Sequence, residues 1–161
     1  MPIVFPVNSF GEVGTRISAT QHVIQTVHNV GTTSVATSST SAVDLYTTAT
    51  GITLTNASNK ILIDFHWENR ANDWGDGVWN LYFMDLIHVG TGTQLCYSGY
   101  NGEYTNCIRP FRRSYVHTPG SVGPHTYKVR GWCYQASQTT FGGSSAGGDG
   151  RYYIRMTEIA A

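Results

Sequence analysis

The sequence is poor in charged residues and carries no net charge. Asp, Glu, Lys and Arg together make up 12% of its 161 residues, about half of the roughly 25% that is usual in soluble domains. Ten basic residues balance ten acidic ones, which argues against a protein that binds nucleic acid or an anionic membrane through a basic excess. A soluble monomer usually keeps its net charge away from zero, so we expect this chain to work within an assembly.

Cysteines and targeting signals are also scarce. Cys96, Cys107 and Cys133 are too few and too odd in number for a disulfide framework, and no CxxC pair suggests a zinc site. Reduced thiols are therefore expected, with a Cys96–Cys107 bridge as the alternative. The N-terminus lacks the basic region of a signal peptide, and no apolar run approaches the roughly 18 residues of a membrane helix. We expect a protein made in a cytoplasm and not inserted into a membrane.

Helical periodicity is hard to find, whereas the alternation typical of strands is frequent. In residues 60–69, Ile61, Ile63, Phe65 and Trp67 share one face and mostly polar residues share the other. Residues 78–89 are apolar on both faces, which predicts a central strand covered on both sides. About eight such strands, separated by turn-forming residues, predict an all-β fold. We expect an antiparallel two-sheet β-sandwich of jelly-roll type.

The first 20 residues differ from the rest and predict an extended N-terminal arm before a single β-sandwich domain at residues 21–161. Pro2 and Pro6 fix backbone φ angles and remove hydrogen-bond donors. An extended apolar segment can pair with an exposed sheet edge of another subunit. We therefore expect the arm to contact a neighbouring protein through its apolar side chains, which are Ile3, Val4, Phe5, Val7 and Phe10.

Two regions are less regular. Residues 32–42 are rich in Ser and Thr and are predicted as a half-exposed strand, and residues 99–112 as an aromatic-rich loop that follows a short strand at 93–98. Loop aromatics can stack on a sugar or anchor a protein contact. Arginine side chains pair with carboxylates at protein interfaces, and the alternative is that they bind a phosphate group. The candidate contact or glycan surface comprises Trp74, Tyr97, Tyr100, Tyr104, Arg112 and Arg113.

No pattern in the sequence predicts catalysis, a metal or a cofactor. Asp64, His66 and Glu68 share one strand face, but successive residues on such a face lie about 7 Å apart, too far for one ion to bind all three. A glycosidase needs two facing carboxylates, and no motif joins Glu68, Asp85 and Glu103. Asp85 stands among apolar residues and needs a partner if it is buried. We therefore expect a non-enzymatic protein.

Three segments carry a resemblance to a known family: ITLTNASNKILIDF at 52–65, HTPGSVGPHTYKVRGW at 117–132 and IRMTEIAA at 154–161. Together, in this order and spacing, they resemble the β-sandwich domains of tailed-phage tail fibres and capsid-associated proteins. The sequence departs from the family pattern at 69–79 and 97–113. The resemblance implies a β-sandwich that forms homotrimers, and it brings no catalytic residue with it.

Two roles follow from this resemblance. The chain could be a capsid decoration (cement) protein that binds and stabilises the shell of the major capsid protein, or the receptor-binding tip of a tail or head fibre that holds a host glycan. A fibre tip normally follows a long shaft, whereas about 20 residues precede the first predicted strand. This favours decoration. We expect a protein synthesised in the host cytoplasm and located on the capsid surface, with no nucleic-acid or membrane partner.

Overall fold

The computed structural model describes residues 22–32, 34–71, 80–103, 108–134, 139–141 and 152–161. For residues 68–71, 80–81, 98–103, 108–110 and 139–140 it describes the backbone alone. Within these ranges the regular structure is entirely β, and no helix is long and apolar enough to cross a membrane. The strands are β1 (Val23–Gly31), β2 (Val35–Thr37), β3 (Val43–Thr47), β4 (Ile52–Thr53), β5 (Lys60–Ala71), β6 (Asn80–His88), β7 (Thr93–Glu103), β8 (Ile108–His117), β9 (Pro124–His125), β10 (Tyr127–Cys133), β11 (Thr139–Phe141) and β12 (Tyr152–Ile159).

The strands form two antiparallel sheets that pack face to face. In the first sheet β5 pairs with β8 on one side and with both β12 and β11 on the other, and β1 and β2 pair in turn with β12 and β11. The second sheet has the order β3-β10-β6-β7, and β4 pairs separately with β9. Counting β1/β2 and β11/β12 as two interrupted strands, each sheet is four strands wide, and the strand order is that of a jelly roll. The predicted β-sandwich is confirmed.

The core lies between the sheets and follows the alternation in the sequence. Ile61, Ile63, Phe65 and Trp67 are all at most 2% exposed, and burying a side chain of this size contributes about 1.5–3 kcal/mol. The Trp67 ring stacks on Tyr152 of β12 with 4.1 Å between centroids. The predicted central strand is also confirmed, because β6 lies between β10 and β7 and all of its described side chains are buried.

The sheets approach each other closely at Gly131 on β10. A Cβ atom at this position would lie 2.8 Å from Leu45 Cδ1 and 2.9 Å from the Phe141 ring. Glycine is therefore required here by the Leu45 side chain of the neighbouring strand β3 and by the Phe141 ring of the facing sheet, and a larger residue would force these side chains to move.

The prediction of a loop at residues 99–112 is wrong. Strand β7 continues to Glu103 and β8 begins at Ile108, so Tyr100 and Arg112 lie in strands. Within the described residues both are edge strands, since β7 pairs with β6 and β8 with β5. Edge strands tolerate polar residues and a proline such as Pro110, and such strands lack the apolar alternation by which interior strands are recognised.

The strand predicted at residues 32–42 is mostly wrong as well, because only Val35–Thr37 is a strand. The Thr37 hydroxyl accepts a hydrogen bond from the Ser39 amide at 3.0 Å, and the Ser39 hydroxyl donates to the Ser41 carbonyl at 2.7 Å. Hydroxyl side chains that bond the nearby backbone compete with the ladder of a sheet. The Ser-rich stretch therefore turns instead of extending.

A buried carboxylate at Glu158 ties the chain's first and last strands to the turn before β5. Glu158 is 0% exposed. Its oxygens accept hydrogen bonds from Gln25 Nε2 at 2.6 Å, from the Thr55 amide and hydroxyl at 2.8 Å each, and from Asn59 Nδ2 at 2.7 Å. Burial by itself raises the pKa of this carboxyl, but the hydrogen bonds from Asn59, Gln25 and Thr55 outweigh it and lower the pKa to about 2. The group is therefore held as a carboxylate.

We predict that Glu158→Ala lowers the free energy of unfolding by about 2–4 kcal/mol, because it leaves several buried donors without an acceptor. Denaturant unfolding measures this loss. Arg155→Gln on the same strand is the matched control. Its ion pair with Asp64 is half exposed on the arginine side, so its removal is expected to cost about 1 kcal/mol or less. Equal losses in the two variants would contradict the prediction.

Candidate functional site

The outer face of the second sheet carries a group of aromatic side chains, which we call the aromatic surface and define as Phe83, Tyr97, Trp132 and Tyr134. The Phe83 ring lies 5.4 Å from Trp132 and 5.8 Å from Tyr97, centroid to centroid, with interplanar angles of 20° and 22°. Tyr134 lies 6.2 Å from Phe83. Tyr97 and Tyr134 are each 51% exposed. Three strands thus contribute rings to one aromatic surface, in which the Tyr134 ring is tilted by 53° from that of Phe83.

An ion pair between the buried Asp85 and the partly exposed Arg130 lies beside the aromatic surface. Asp85, which pairs with Tyr97 across β6 and β7, is 1% exposed. It accepts two hydrogen bonds from the Arg130 guanidinium, one of them from Nε at 2.9 Å, and one from Gln94 Nε2 at 2.8 Å. The hydrogen bond to Asp85 raises the pKa of Arg130. Asp85 therefore has the partner that its apolar neighbours predicted.

The outer face of the first sheet has different chemistry. A depression of about 370 Å³ lies over β5, β8 and β12, and its lining includes three arginines and one carboxylate. We call it the arginine depression and define it by Asp64, Arg112, Arg113, Ser114, Tyr153 and Arg155. Arg155 donates from Nε at 3.1 Å and from a terminal nitrogen at 2.6 Å to one oxygen of Asp64, and the Ser114 hydroxyl donates to the other.

The two remaining arginines are held in place without a carboxylate partner among the described residues. Arg112 Nε donates to His66 Nδ1 at 2.8 Å, and His66 in turn stacks on Tyr153. Arg113 donates to the Arg112 carbonyl at 3.2 Å, and its guanidinium lies 4.9 Å from the centre of the Phe111 ring. The depression therefore has an excess of positive charge, and it can bind an anion.

Three histidines meet at one end of the sandwich, a feature that the sequence analysis missed. His88 Nε2 lies 3.2 Å from His125 Nδ1, the His88 and His117 rings are 4.8 Å apart, and His117 Nδ1 lies 2.9 Å from the Tyr127 hydroxyl. Burial, followed by the nearby histidines, lowers the pKa of His117 to about 4, and burial and His125 lower that of His88. His88 and His117 are therefore neutral at neutral pH.

The structure assigns the sequence-predicted site residues to different places. Tyr97 belongs to the aromatic surface, whereas Arg112 and Arg113 belong to the arginine depression on the other sheet. Tyr100 lies in β7 by its backbone. The remaining candidates lie outside the described residues and stay predictions: Trp74, Tyr104 and the arm residues Ile3, Val4, Phe5, Val7 and Phe10. The sequence analysis did not select Phe83, Trp132 or Tyr134, because only the strand register brings them to Tyr97.

The described residues hold no group of three or more His, Cys, Asp or Glu side chains arranged as metal ligands. Two of the three residues that the sequence analysis considered as metal ligands have other partners. Asp64 accepts hydrogen bonds from Arg155 and Ser114, and His66 accepts one from Arg112. Cys96 carries a free thiol, so it does not form the alternative bridge to Cys107. Burial raises the pKa of Cys96 to about 11, which keeps this thiol protonated and unreactive.

Comparison with known proteins identifies no family. No protein-family model matches the chain, and no curated protein matches it. Among solved structures, the chain is similar to one described as the T13 viral particle of infectious bursal disease virus, with 11% identity and a TM-score of 0.45 over 96% of this chain and 42% of that one. It is also similar to the VP2 subviral particle of the same virus, with 12% identity and a TM-score of 0.43 over 96% of this chain and 44% of that one.

A third similar structure is an arabinose-bound α-L-arabinofuranosidase, with 13% identity and a TM-score of 0.35 over 88% of this chain and 23% of that one. The chain spans less than half of the length of each of these three structures. Function is therefore inferred from the residues of this chain.

We predict that the histidine cluster makes the fold less stable in acid. Unfolding returns His117 from a pKa of about 4 to its ordinary value of 6.5, so the unfolded chain binds more protons between these pH values. Stability is then fully present above pH 6.5 and falls as the pH drops toward 4, by about 1–2 kcal/mol after allowance for solvent screening.

Denaturant unfolding at several pH values in this window measures the effect. His117→Asn keeps a polar group beside Tyr127 and removes the titration, so it should flatten the pH dependence. The exposed His28, changed to Asn, is the control and should leave the slope as it is. An unchanged slope in His117→Asn would show that the stability change has another source.

Proposed function

We propose that this chain is a non-enzymatic structural protein of a tailed-phage virion, which binds the outside of the major capsid shell and stabilises it as a decoration protein. The jelly-roll strand order supports this proposal, because this architecture recurs in viral capsid domains, although it also recurs in lectins and cupins. Fold alone does not decide between them. The three sequence segments that resemble phage virion proteins add the second support.

The aromatic surface is the observation that carries the proposal. Aromatic side chains dominate the energetics of protein contacts because they bury much apolar area and lose little conformational freedom. Here Tyr97 and Tyr134 are half exposed beside Trp132, on a chain with few charged residues. The ion pair of Asp85 and Arg130 joins β6 to β10 beside these rings, so the rings are already in place before a partner binds. A preformed aromatic face suits a lasting contact with a shell protein.

The arm and the trimer complete the proposal. Residues 1–20, through Ile3, Val4, Phe5, Val7 and Phe10, would add an extended contact along the neighbouring shell subunit, since a backbone of this kind can pair with a sheet edge. A homotrimer, which the family resemblance implies, would multiply the contacts of each copy and raise the avidity of attachment.

The second candidate function is that of a receptor-binding fibre tip. The arginine depression favours it, because a concave site of about 370 Å³ with convergent polar groups has the size of a small-ligand site. Both candidates are virion proteins, and the position and copy number of the chain on the particle distinguish them.

We predict that Trp132→Ala and Tyr97→Ala each weaken binding to phage particles that lack this protein by about tenfold or more, as expected for central aromatic contacts. Co-sedimentation with the particles measures the affinity. Val116→Ala, which changes an exposed apolar residue on the other sheet, is the matched control and should bind normally. Thermal unfolding of each variant separates lost contact from lost fold. Normal binding by both aromatic variants would contradict the assignment of this surface.

Removal of residues 1–14 provides a second test of attachment. The truncated chain should fold with the β-sandwich spectrum of the full chain and fail to coat particles. Electron microscopy of complete virions should show many copies over the shell. Full-affinity binding by the truncated chain would contradict the role of the arm, and copies found at the tail alone would contradict decoration and favour the fibre tip.

A further inference from the structure

The arginine depression combines positive charge with a hydrogen-bond acceptor. Arg155 is neutralised by Asp64, and the Arg113 guanidinium lies over the ring of Phe111, a core residue on the same face of β8. Arg112 is on the opposite, outer face, where it uses Nε to bind His66. Since a guanidinium has five N–H donors, most donors of Arg112 are available for a ligand. A planar fork of this kind matches the two oxygens of a carboxylate.

The carboxylate of Asp64 restricts which anion fits. Each of its oxygens already accepts from Ser114 or Arg155, and a carboxylate has about four lone-pair sites. The remaining lone-pair sites of Asp64 can be filled by a ligand that donates a hydrogen bond. Sulfate and other fully ionised anions carry acceptors alone, so they would face repulsion from Asp64. A ligand with one carboxylate and several hydroxyl groups would satisfy Arg112 and Asp64 together.

The size of the depression selects the same kind of ligand. A volume of about 370 Å³ lies at the lower end of the range for small-ligand sites, whereas protein–protein contacts are broader and bury about 800 Å² on each partner. Tyr153 adds a ring and a hydroxyl at one side, and its ring is held against His66 with 5.4 Å between centroids. The site is thus preformed on three strands of one sheet.

We propose that the arginine depression binds an acidic sugar, with the sugar carboxylate on Arg112 and ring hydroxyls donating to Asp64. This inference goes beyond shell attachment, for which the other sheet provides the contact. It also does not depend on that attachment, because a decoration protein and a fibre tip could each carry the site.

The test is a titration of the full ¹⁵N-labelled chain, followed by NMR, with D-glucuronate, D-galacturonate and N-acetylneuraminate. D-glucose and D-galactose are the neutral counterparts of the first two, and acetate and sulfate supply the anion without the sugar. We expect at least one acidic sugar to shift amide signals of β8 and β12 and to bind about tenfold or more tightly than every neutral sugar and simple anion.

Variants assign the binding to these residues. Arg112→Gln should weaken the binding of the acidic sugar by about tenfold. Arg112→Lys keeps the charge and loses the planar fork, so it should weaken binding as well. Lys128→Gln removes one positive charge from the opposite sheet and is the matched control, which should bind as the unchanged chain does. Circular dichroism of each variant confirms that it folds.

Several outcomes would overturn the proposal. These are the absence of binding by all three acidic sugars, binding of acetate or sulfate as tight as that of the sugars, and an equal loss in Lys128→Gln. Binding of an acidic peptide in preference to the sugars would assign the depression to a protein contact instead. None of these results affects the test of shell attachment, which measures particle binding through the aromatic surface.

Discussion

The register of the first sheet depends on one buried carboxylate. Glu158 lies opposite Ile61 in the pairing of β12 with β5, and its hydrogen bonds come from Gln25 on β1 and from the Thr55–Asn59 turn. A one-residue slip of β12 would turn every side chain of that strand to the other face. It would leave the Glu158 donors unpaired and move Tyr153 and Arg155 out of the arginine depression. The same contact therefore fixes the core and the outer face.

The hydrogen bonds of Glu158 also give a physical account of the family resemblance. Two of the three segments that carry it meet in this contact, since Thr55 and Asn59 belong to the first segment and Glu158 to the last. The middle segment supplies Tyr127 to the core and His125 to the histidine cluster. In this chain these residues have structural roles. Tyr97, Arg112 and Arg113 lie outside the three segments, whereas Asp64, Trp132 and Arg155 lie within them. Both outer surfaces therefore combine residues from inside and outside the segments.

Sequence patterns were sufficient where one strand alone determines the outcome. The alternation of Ile61, Ile63, Phe65 and Trp67 correctly identified a buried face, and the apolar surroundings of Asp85 correctly required a partner. They were insufficient where the outcome depends on pairing between distant strands. Edge strands β7 and β8 have one neighbour each and lack a periodic signal. Phe83 and Trp132 are far apart in sequence, and only the register of β6 with β10 places their rings together.

The two outer faces of a sandwich point in opposite directions, and here they differ in the kind of contact that they favour. The aromatic surface is built from the rings of three strands beside the ion pair of Asp85 and Arg130, which suits a lasting protein contact. The arginine depression is small, concave and charged, which suits a small ligand that arrives from solution. A subunit held on a particle through the aromatic surface would keep the depression on the side that faces away from the attachment. Shell binding and sugar binding are therefore geometrically compatible in one copy of the chain.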